Sequence, residues 1–374
     1  MKPIVIDYTP AATQTAGIGR LVREQVEAVL TYDKARQYCL MYPRKALFPP
    51  KFSSDNVTIC ECPFSSLWQQ RIWHRLRLPL PVEWFTGEFS IYHATDFLLP
   101  HTQSSSPTLL TVHDLSFERV PEAADPRLRT FLQAAVPRSV RRAAHIIADS
   151  EATRQDLISL YNCPPQKVSV VLSSVAPRFQ RTTSAEIRKK YALPDQPFLL
   201  CVGTIQPRKN YARVVRALAS LGSAWRDIHL VIAGGKGWLY NELYQTIADL
   251  NMAERVHFIG FADDDDLPAL YSAAVCTVVV SLYEGFGFPV LESMACGTPV
   301  IASTVSSLPE VAGDAAILVD PNDVDAIAAA IHQILSDTDL VEKLRQRGLA
   351  QASRFTPAAT AQQLVEVYSM FLSS

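Results

Sequence analysis

The chain alternates short, continuous apolar runs with longer stretches in which apolar residues recur at helical spacing. A continuous apolar run reads as a strand buried on both faces, and strand–helix alternation reads as a parallel sheet covered by helices. In the first half the runs are residues 4–7, 38–42, 55–60, 89–95, 107–114, 144–150 and 168–172. Helical patterns fill the gaps at 21–30, 64–78, 125–144 and 151–161, the last with Ser150 as its cap. A second series begins at 198–204 and continues through 228–235, 256–260, 275–280 and 299–302. The spacings suit right-handed strand–helix–strand units. Between the two series lies a polar, proline-bearing segment, which places a domain boundary near 180. The division is therefore 1–180 and 181–355, with a terminal helical segment, 356–374, after them.

One strand–helix junction differs from the rest. The run 275–280 leads into Ser281-Leu-Tyr-Glu-Gly-Phe-Gly-Phe-Pro-Val-Leu-Glu-Ser-Met-Ala-Cys-Gly297. Gly285 and Gly287 allow the backbone to turn where a side chain would obstruct it. Pro289 fits the first position of a helix and Gly297 its stop. The N–H groups of Val290, Leu291 and Glu292 would then face the loop as an anion site. Two acids, Glu284 and Glu292, flank that site. Bare phosphate is poorly served by both, whereas a ligand with phosphate at its centre and hydroxyls on either side is well served. A nucleotide sugar has that form.

Glu284 and Glu292, with seven residues between them, resemble the E-x7-E motif of the retaining glycosyltransferases of family 4. The surrounding run E-G-F-G-F-P-V-L-E-S-M-A-C-G-T-P-V-I-A is close to that family's pattern. The resemblance implies an α/β protein of GT-B fold: two doubly wound Rossmann-like domains facing a central cleft, the first on the acceptor side, the second holding the donor. It implies that 356–374 crosses back onto the first domain. It also implies roles. Arg208 and Lys209, in Gly203-Thr-Ile-Gln-Pro-Arg-Lys-Asn210, would hold the donor diphosphate. Glu284 would bind hydroxyls of the donor sugar and Glu292 those of the ribose. Backbone around Ile259, Gly260 and Phe261 would hold the base, and Gly285, Phe286, Gly287, Val290 and Leu291 would form the donor loop. Gly17 and Gly19, in a strand–glycine–helix layout that alone is weak evidence, would face the diphosphate. His113, at a strand end in Val-His-Asp, would lie near the anomeric carbon. His113, Glu284, Lys209 and Arg208 form the expected catalytic set. No metal and no cofactor are implied, since the nucleotide sugar is a co-substrate.

Gly17-Ile-Gly-Arg20 and His93-Ala-Thr-Asp-Phe-Leu-Leu-Pro100 look most like bacterial mannosyltransferases of surface-polysaccharide synthesis. That makes GDP-mannose the expected donor and a glycan or lipid-linked molecule the acceptor. A UDP-glucose or UDP-N-acetylglucosamine transferase of the same family is the nearest alternative. A non-catalytic sugar-nucleotide binding or assembly subunit is the alternative of a different class. Two departures from the family stand out: Ser174-Val175 replaces an Asn-Gly, and Thr204 replaces an arginine found in some relatives.

The remaining features change the picture less. Asp263–Asp266 could pass for a metal-binding D-x-D, but it precedes a helical run and reads as acids at a helix N-terminus. Residues 64–78 carry Trp68, Ile72, Trp73 and Leu76 among Arg71, His74, Arg75 and Arg77. That stretch either docks an anionic acceptor or membrane surface, or buries its aromatics and solvates its arginines, and the second reading is preferred. His93 is a weaker candidate for the acceptor side. A length of 374 residues suits two domains, and 48% hydrophobic residues fill sizeable cores. A net charge of −2 argues against nucleic acid as a partner. Seven scattered cysteines without a CxxC pair read as reduced thiols. The first strand begins at once, so no signal peptide is expected, and no run is long enough to span a membrane. The expected location is cytoplasmic, with peripheral contact at the inner membrane face left open.

Overall fold

Each apolar run becomes a strand, and every strand pairing is parallel. The computed structural model describes residues 2–15, 17–52, 54–182 and 185–372. The chain divides into two compact units. One holds the chain up to Leu115, Thr130–Ser174 and everything from Thr356 on; the other holds Ser116–Arg129 and Val175–Phe355. The division thus falls after Ser174, and the short segment Ser116–Arg129 goes with the second unit.

The first unit is built on β1 (Ile4–Asp7), β2 (Tyr38–Pro43), β3 (Val57–Cys62), β4 (Ile91–Ala94), β5 (Thr108–Val112), β6 (His145–Ala148) and β7 (Val168–Val170). Their order is β3-β2-β1-β4-β5-β6-β7. Ile4 is opposite Tyr38 on one side and Ile91 on the other, so the order reverses about β1 and β4. Ligands of open parallel sheets bind outside the strands' carboxyl ends at such a reversal. Ile4, Ile6, Leu40, Ile91 and Leu109 pack with Leu364, Val367 and Tyr368 of the last helix, Pro357–Leu372. That helix belongs to the first unit because its apolar stripe is needed to close this core. His93 also serves the core. Its Nδ1 lies 2.8 Å from the Tyr368 hydroxyl and its Nε2 2.8 Å from Thr111 Oγ1. Burial lowers its pKa to about 3, so it is a neutral strut and not an acceptor-side group. Ser150 caps the helix Glu151–Tyr161 through a 3.1 Å bond from Thr153 N.

The 64–78 stretch follows neither reading in full. A short α-helix, Ser66–Gln69, runs into a π-helix, Gln70–Arg75. Ile72 and Trp73 are buried, whereas Trp68 and Leu76 are 52% and 65% exposed. The wider π turn shifts the side-chain phase, so one continuous 3.6-residue stripe cannot form.

The second unit contains β8 (Phe198–Val202), β9 (His229–Ala233), β10 (Val256–Gly260), β11 (Cys276–Val279), β12 (Val300–Ser303) and β13 (Ile317–Val319). Their order is β10-β9-β8-β11-β12-β13, with the reversal between β8 and β11. β13 is an edge strand of three residues, too short for its apolar pattern to be distinctive. Leu199, Cys201, Leu230, Ile232, Val278 and Ile301 form the core with Val214, Val215 and Leu218 of the helix Tyr211–Ser220.

Candidate functional site

The carboxyl ends of β8 and β11 carry the two segments singled out in the sequence. After β8 the chain passes Gly203 and makes a 3-10 turn at Pro207–Lys209. Asn210, in a left-handed conformation (φ +62°), then starts the helix Tyr211–Ser220. Asn210 Nδ2 donates to Val280 O at 2.9 Å and Pro321 O at 2.7 Å, which pins this turn to the end of β11. Leu282 N donates to Arg208 O at 2.8 Å and ties the two loops together directly.

Glu284 lies at the centre. Arg208 Nη1 donates to its Oε2 at 2.7 Å, Lys209 Nζ to its Oε1 at 2.6 Å, and Ser281 Oγ to the same Oε1 at 2.6 Å. Arg208 also donates to Tyr283 O at 2.7 Å. Glu284 is 7% exposed. Burial by itself would raise its carboxyl, but the charges of Arg208 and Lys209 and the hydrogen bonds from Lys209 and Ser281 hold it at about 2. The main chain is fixed too: Glu284 N donates to Ser306 Oγ at 2.9 Å, and Ser307 Oγ donates to Glu284 O at 2.9 Å. Lys209 can lie here because Gly203 has no side chain. A Cβ on Gly203 would come within 3.0 Å of Lys209 Cε.

The glycine loop behaves differently from the sequence expectation in one respect. Gly287 (φ +113°) caps the helix Phe288–Ala295, and Val290 N and Leu291 N both donate to its carbonyl, at 3.0 and 3.4 Å. Those two N–H groups are therefore spent within the first helical turn and do not face the loop as free donors. Gly287 is the N-cap, and an N-cap carbonyl accepts the first bonds of its helix. Among the described residues, neither Gly285 nor Gly287 gives its own N–H to a protein acceptor. A Cβ on Gly287 would meet Leu308 Cδ2 at 2.6 Å. Gly287→Ala is expected to cost ~1–3 kcal/mol from overpacking and a further ~1–2 kcal/mol from the left-handed backbone, read as a lower midpoint in urea denaturation. A midpoint equal to wild type would show that Leu308 and the loop yield freely.

Glu292 points inward. It is 2% exposed, and Tyr271 Oη donates to its Oε2 at 2.7 Å. Glu284 meets Arg208 and Lys209, whereas Glu292 meets the Tyr271 phenol. Ile259 and Gly260 end β10, with an irregular register between Phe258 and Gly260, and Gly260 has φ +72°. Phe261, just beyond, is 51% exposed. Asp266 precedes the helix Leu267–Ala273 and accepts from Tyr191 Oη at 2.6 Å and from Lys190.

Gly17, Gly19 and His113 belong to the first unit. Gly17 (φ +60°) caps the helix Ile18–Tyr32. Gly19 is buried, and a Cβ there would lie 2.3 Å from Gln14 O and 2.8 Å from Pro10 O. Close packing against the helix Thr9–Thr13 thus requires this glycine whatever else it does. His113 follows β5. Its Nδ1 lies 2.7 Å from Asp149 Oδ2, just past β6, and its Nε2 lies 2.9 Å from Thr95 O. A carboxylate and a carbonyl both accept, so both ring nitrogens carry protons. Burial would lower the imidazole's pKa, but Asp149, Asp96 and the Thr95 carbonyl raise it to about 9. His113 is a fixed cation with no free lone pair.

Sequence reasoning missed Ser281, Asn210, Ser306, Ser307, Tyr271 and Asp149. Ser281 and Asn210 adjoin the motifs and carried a local signal. The others meet their partners through folding alone.

Comparison with known proteins gives the family and the fold. Residues 21–178 match Glycosyltransferase Family 4, and residues 183–351 match Glycosyl transferases group 1. O-antigen chain mannosyltransferase B of Escherichia coli is 35% identical over 303 residues, covering 79% of this chain and 79% of that protein. Sucrose-phosphate synthase from Thermosynechococcus elongatus superposes with a TM-score of 0.78 over 100% of both chains, at 22% identity. Anabaena HepE, solved with UDP and glucose, gives a TM-score of 0.75 at 20% identity, covering 99% of this chain and 100% of that one.

Proposed function

The chain belongs to the group 1, family 4 glycosyltransferases and has the GT-B fold, and from that premise we propose a retaining, metal-independent hexosyltransferase that uses GDP-mannose. The acceptor is a glycan or a lipid-linked sugar. The observation that carries this reading is the cluster of Arg208, Lys209 and Glu284 at the switch point of the second sheet. Arg208 and Lys209 bring two positive charges to one place, which suits a diphosphate. Arg208 and Lys209, with the N–H groups of Gly285 and Gly287, supply the anion stabilisation that the departing phosphate needs. Glu284 offers hydrogen-bond acceptance to the sugar's hydroxyls. Ribose hydroxyls would share Glu292 with the Tyr271 phenol, and Ile259, Gly260 and Phe261 would take the base.

The chemistry follows from which groups are occupied. Glu284 is engaged by three donors and titrates near 2, which makes it a weak nucleophile. His113, protonated at both nitrogens, contributes charge and not base catalysis. The step that fits is attack by the acceptor hydroxyl on the same face that the diphosphate leaves. The bond from the anomeric carbon to phosphate oxygen breaks, the bond to acceptor oxygen forms, and the acceptor's proton passes to the leaving phosphate. Configuration is thereby retained. The mannose assignment draws on the name of the Escherichia coli relative and on the sequence resemblance. The UDP and glucose bound by HepE keep a UDP-sugar donor as the second reading.

A thermal-shift panel with GDP, GDP-mannose, UDP and UDP-glucose, each with and without magnesium, tests the donor. A ligand at 100 times its Kd adds ~2.7 kcal/mol of stability. GDP compounds are expected to stabilise the protein equally with and without magnesium. Selective stabilisation by UDP compounds would replace the mannose assignment, and a strict magnesium requirement would remove metal independence. An NMR spectrum of the product, with its anomeric proton in the donor's configuration, checks retention.

A further inference from the structure

In the first unit, a cavity of about 270 Å³ lies between the π-helix and the end of the helix Pro126–Arg142. A single water needs only ~10–15 Å³. Arg77, Arg138 and Arg142 line the cavity together with His74 and His101, and no carboxylate does. Among the described residues, no acid pairs with Arg77 or Arg138. Arg142 is held in place by its own bonds to Leu99 O at 3.1 Å and Pro100 O at 2.7 Å. Burial lowers its pKa, a sign that its charge lacks compensation there. The backbone around the cavity is unusual as well. Leu76 N bonds back to Arg71 O at 2.8 Å across a π turn, and Arg77 stands at φ +56° although it is not glycine. Such outliers persist where surrounding structure enforces them, commonly at binding sites. Trp73 and His74 also line a second cavity of about 280 Å³, which reaches Asp7, Gln14 and Asp96 at the switch point of the first sheet.

We propose that this arginine-lined cavity is a phosphate-binding subsite for a phosphate-bearing ligand, separate from the donor cluster of the second unit. Guanidinium groups suit phosphate because they donate in pairs to its oxygens. An anion here relieves the mutual repulsion of three cations. The phosphate could be free or borne by a lipid; Leu76 and Leu78, 65% and 44% exposed beside Arg77, offer a surface for an alkyl chain.

The test is calorimetric titration of inorganic pyrophosphate into the full chain, wild type and Arg77→Ala/Arg138→Ala. Among the described residues neither arginine has an ion-pair partner, so the variant is expected to keep its circular dichroism and Tm. Its pyrophosphate binding at this site should weaken about tenfold or more, and Arg138→Lys should retain part of it. Lys209→Ala, run in parallel, removes the donor-site component and leaves this one. Failure of the donor reading would therefore show as an unaltered Lys209→Ala titration. Wild-type affinity and stoichiometry in folded Arg77→Ala/Arg138→Ala would overturn the proposal. Octyl phosphate against inorganic phosphate separates the sources. Tenfold tighter binding that is lost in Leu76→Ala/Leu78→Ala assigns a lipid-borne phosphate; equal affinities assign a free one, and both results support the site.

Discussion

Glu284→Ala is expected to destabilise the second unit by about 3–5 kcal/mol and to lower sugar transfer by roughly 10²–10³-fold. The stability loss comes from what remains. The side chains of Arg208 and Lys209 are 16% and 11% exposed, and Glu284 is their salt-bridge partner. Without it, two partly buried cations lose the carboxylate they share, and breaking a buried ion pair costs more than the intact pair contributes. Ser281 also loses its acceptor. Glu284→Gln separates the two effects. The amide keeps the shape and one oxygen acceptor, so its loss of stability should be smaller. Its loss of transfer should remain, since an amide is a weaker acceptor than a carboxylate for the sugar's hydroxyls. Urea denaturation with a parallel transfer assay checks both. A Glu284→Ala protein with wild-type midpoint and wild-type transfer would show that the cluster is ornamental.

His113→Ala should destabilise the first unit by a similar amount, about 3–5 kcal/mol, because Asp149 would then be a buried carboxylate without its cation. Among the described residues, Asp149 Oδ1 already has no hydrogen-bond partner. The wild type carries a pH signature that this variant should lack. The His113 pKa is raised to about 9, above its ordinary value of 6.5. The folded state therefore binds a proton more tightly than the unfolded state does. The stabilisation is fully present below pH 6.5 and declines as pH rises toward 9, by on the order of 3 kcal/mol in all. Denaturation of wild type at several pH values in this window should show the decline, and His113→Ala should flatten it. A flat wild-type profile would mean that the imidazole is neutral in the folded protein.

The strand–helix plan was legible because both sheets are parallel and buried on both faces, so strands such as β1, β5 and β12 are continuous apolar runs. The glycine loop and its flanking acids were legible for a related reason. A turn from a buried strand into a helix restricts residue choice over a contiguous stretch, and that stretch is read directly. Residues 64–78 were not legible as they fold. A π turn breaks the 3.6-residue period that helical reading assumes. The strand β13 escaped notice because three apolar residues are too few to carry a pattern. The free helix N–H groups expected at Val290 and Leu291 depend on where the helix starts, and with Gly287 as its N-cap the Gly287 carbonyl takes both.

By itself, the sequence determined the two parallel-sheet domains, the glycine loop and the basic turn that follow two of their strands, and the residue types these carry. These depend on local periodicity and on short contiguous motifs. Tertiary structure alone decided the charge states and pairings: Arg208 and Lys209 on one carboxylate, His113 protonated between Asp149 and Thr95, Glu292 turned inward to Tyr271, and three arginines around one cavity. Each of these joins residues far apart in the chain. Burial and the distance between charges set their energies, and neither quantity exists until the chain has folded.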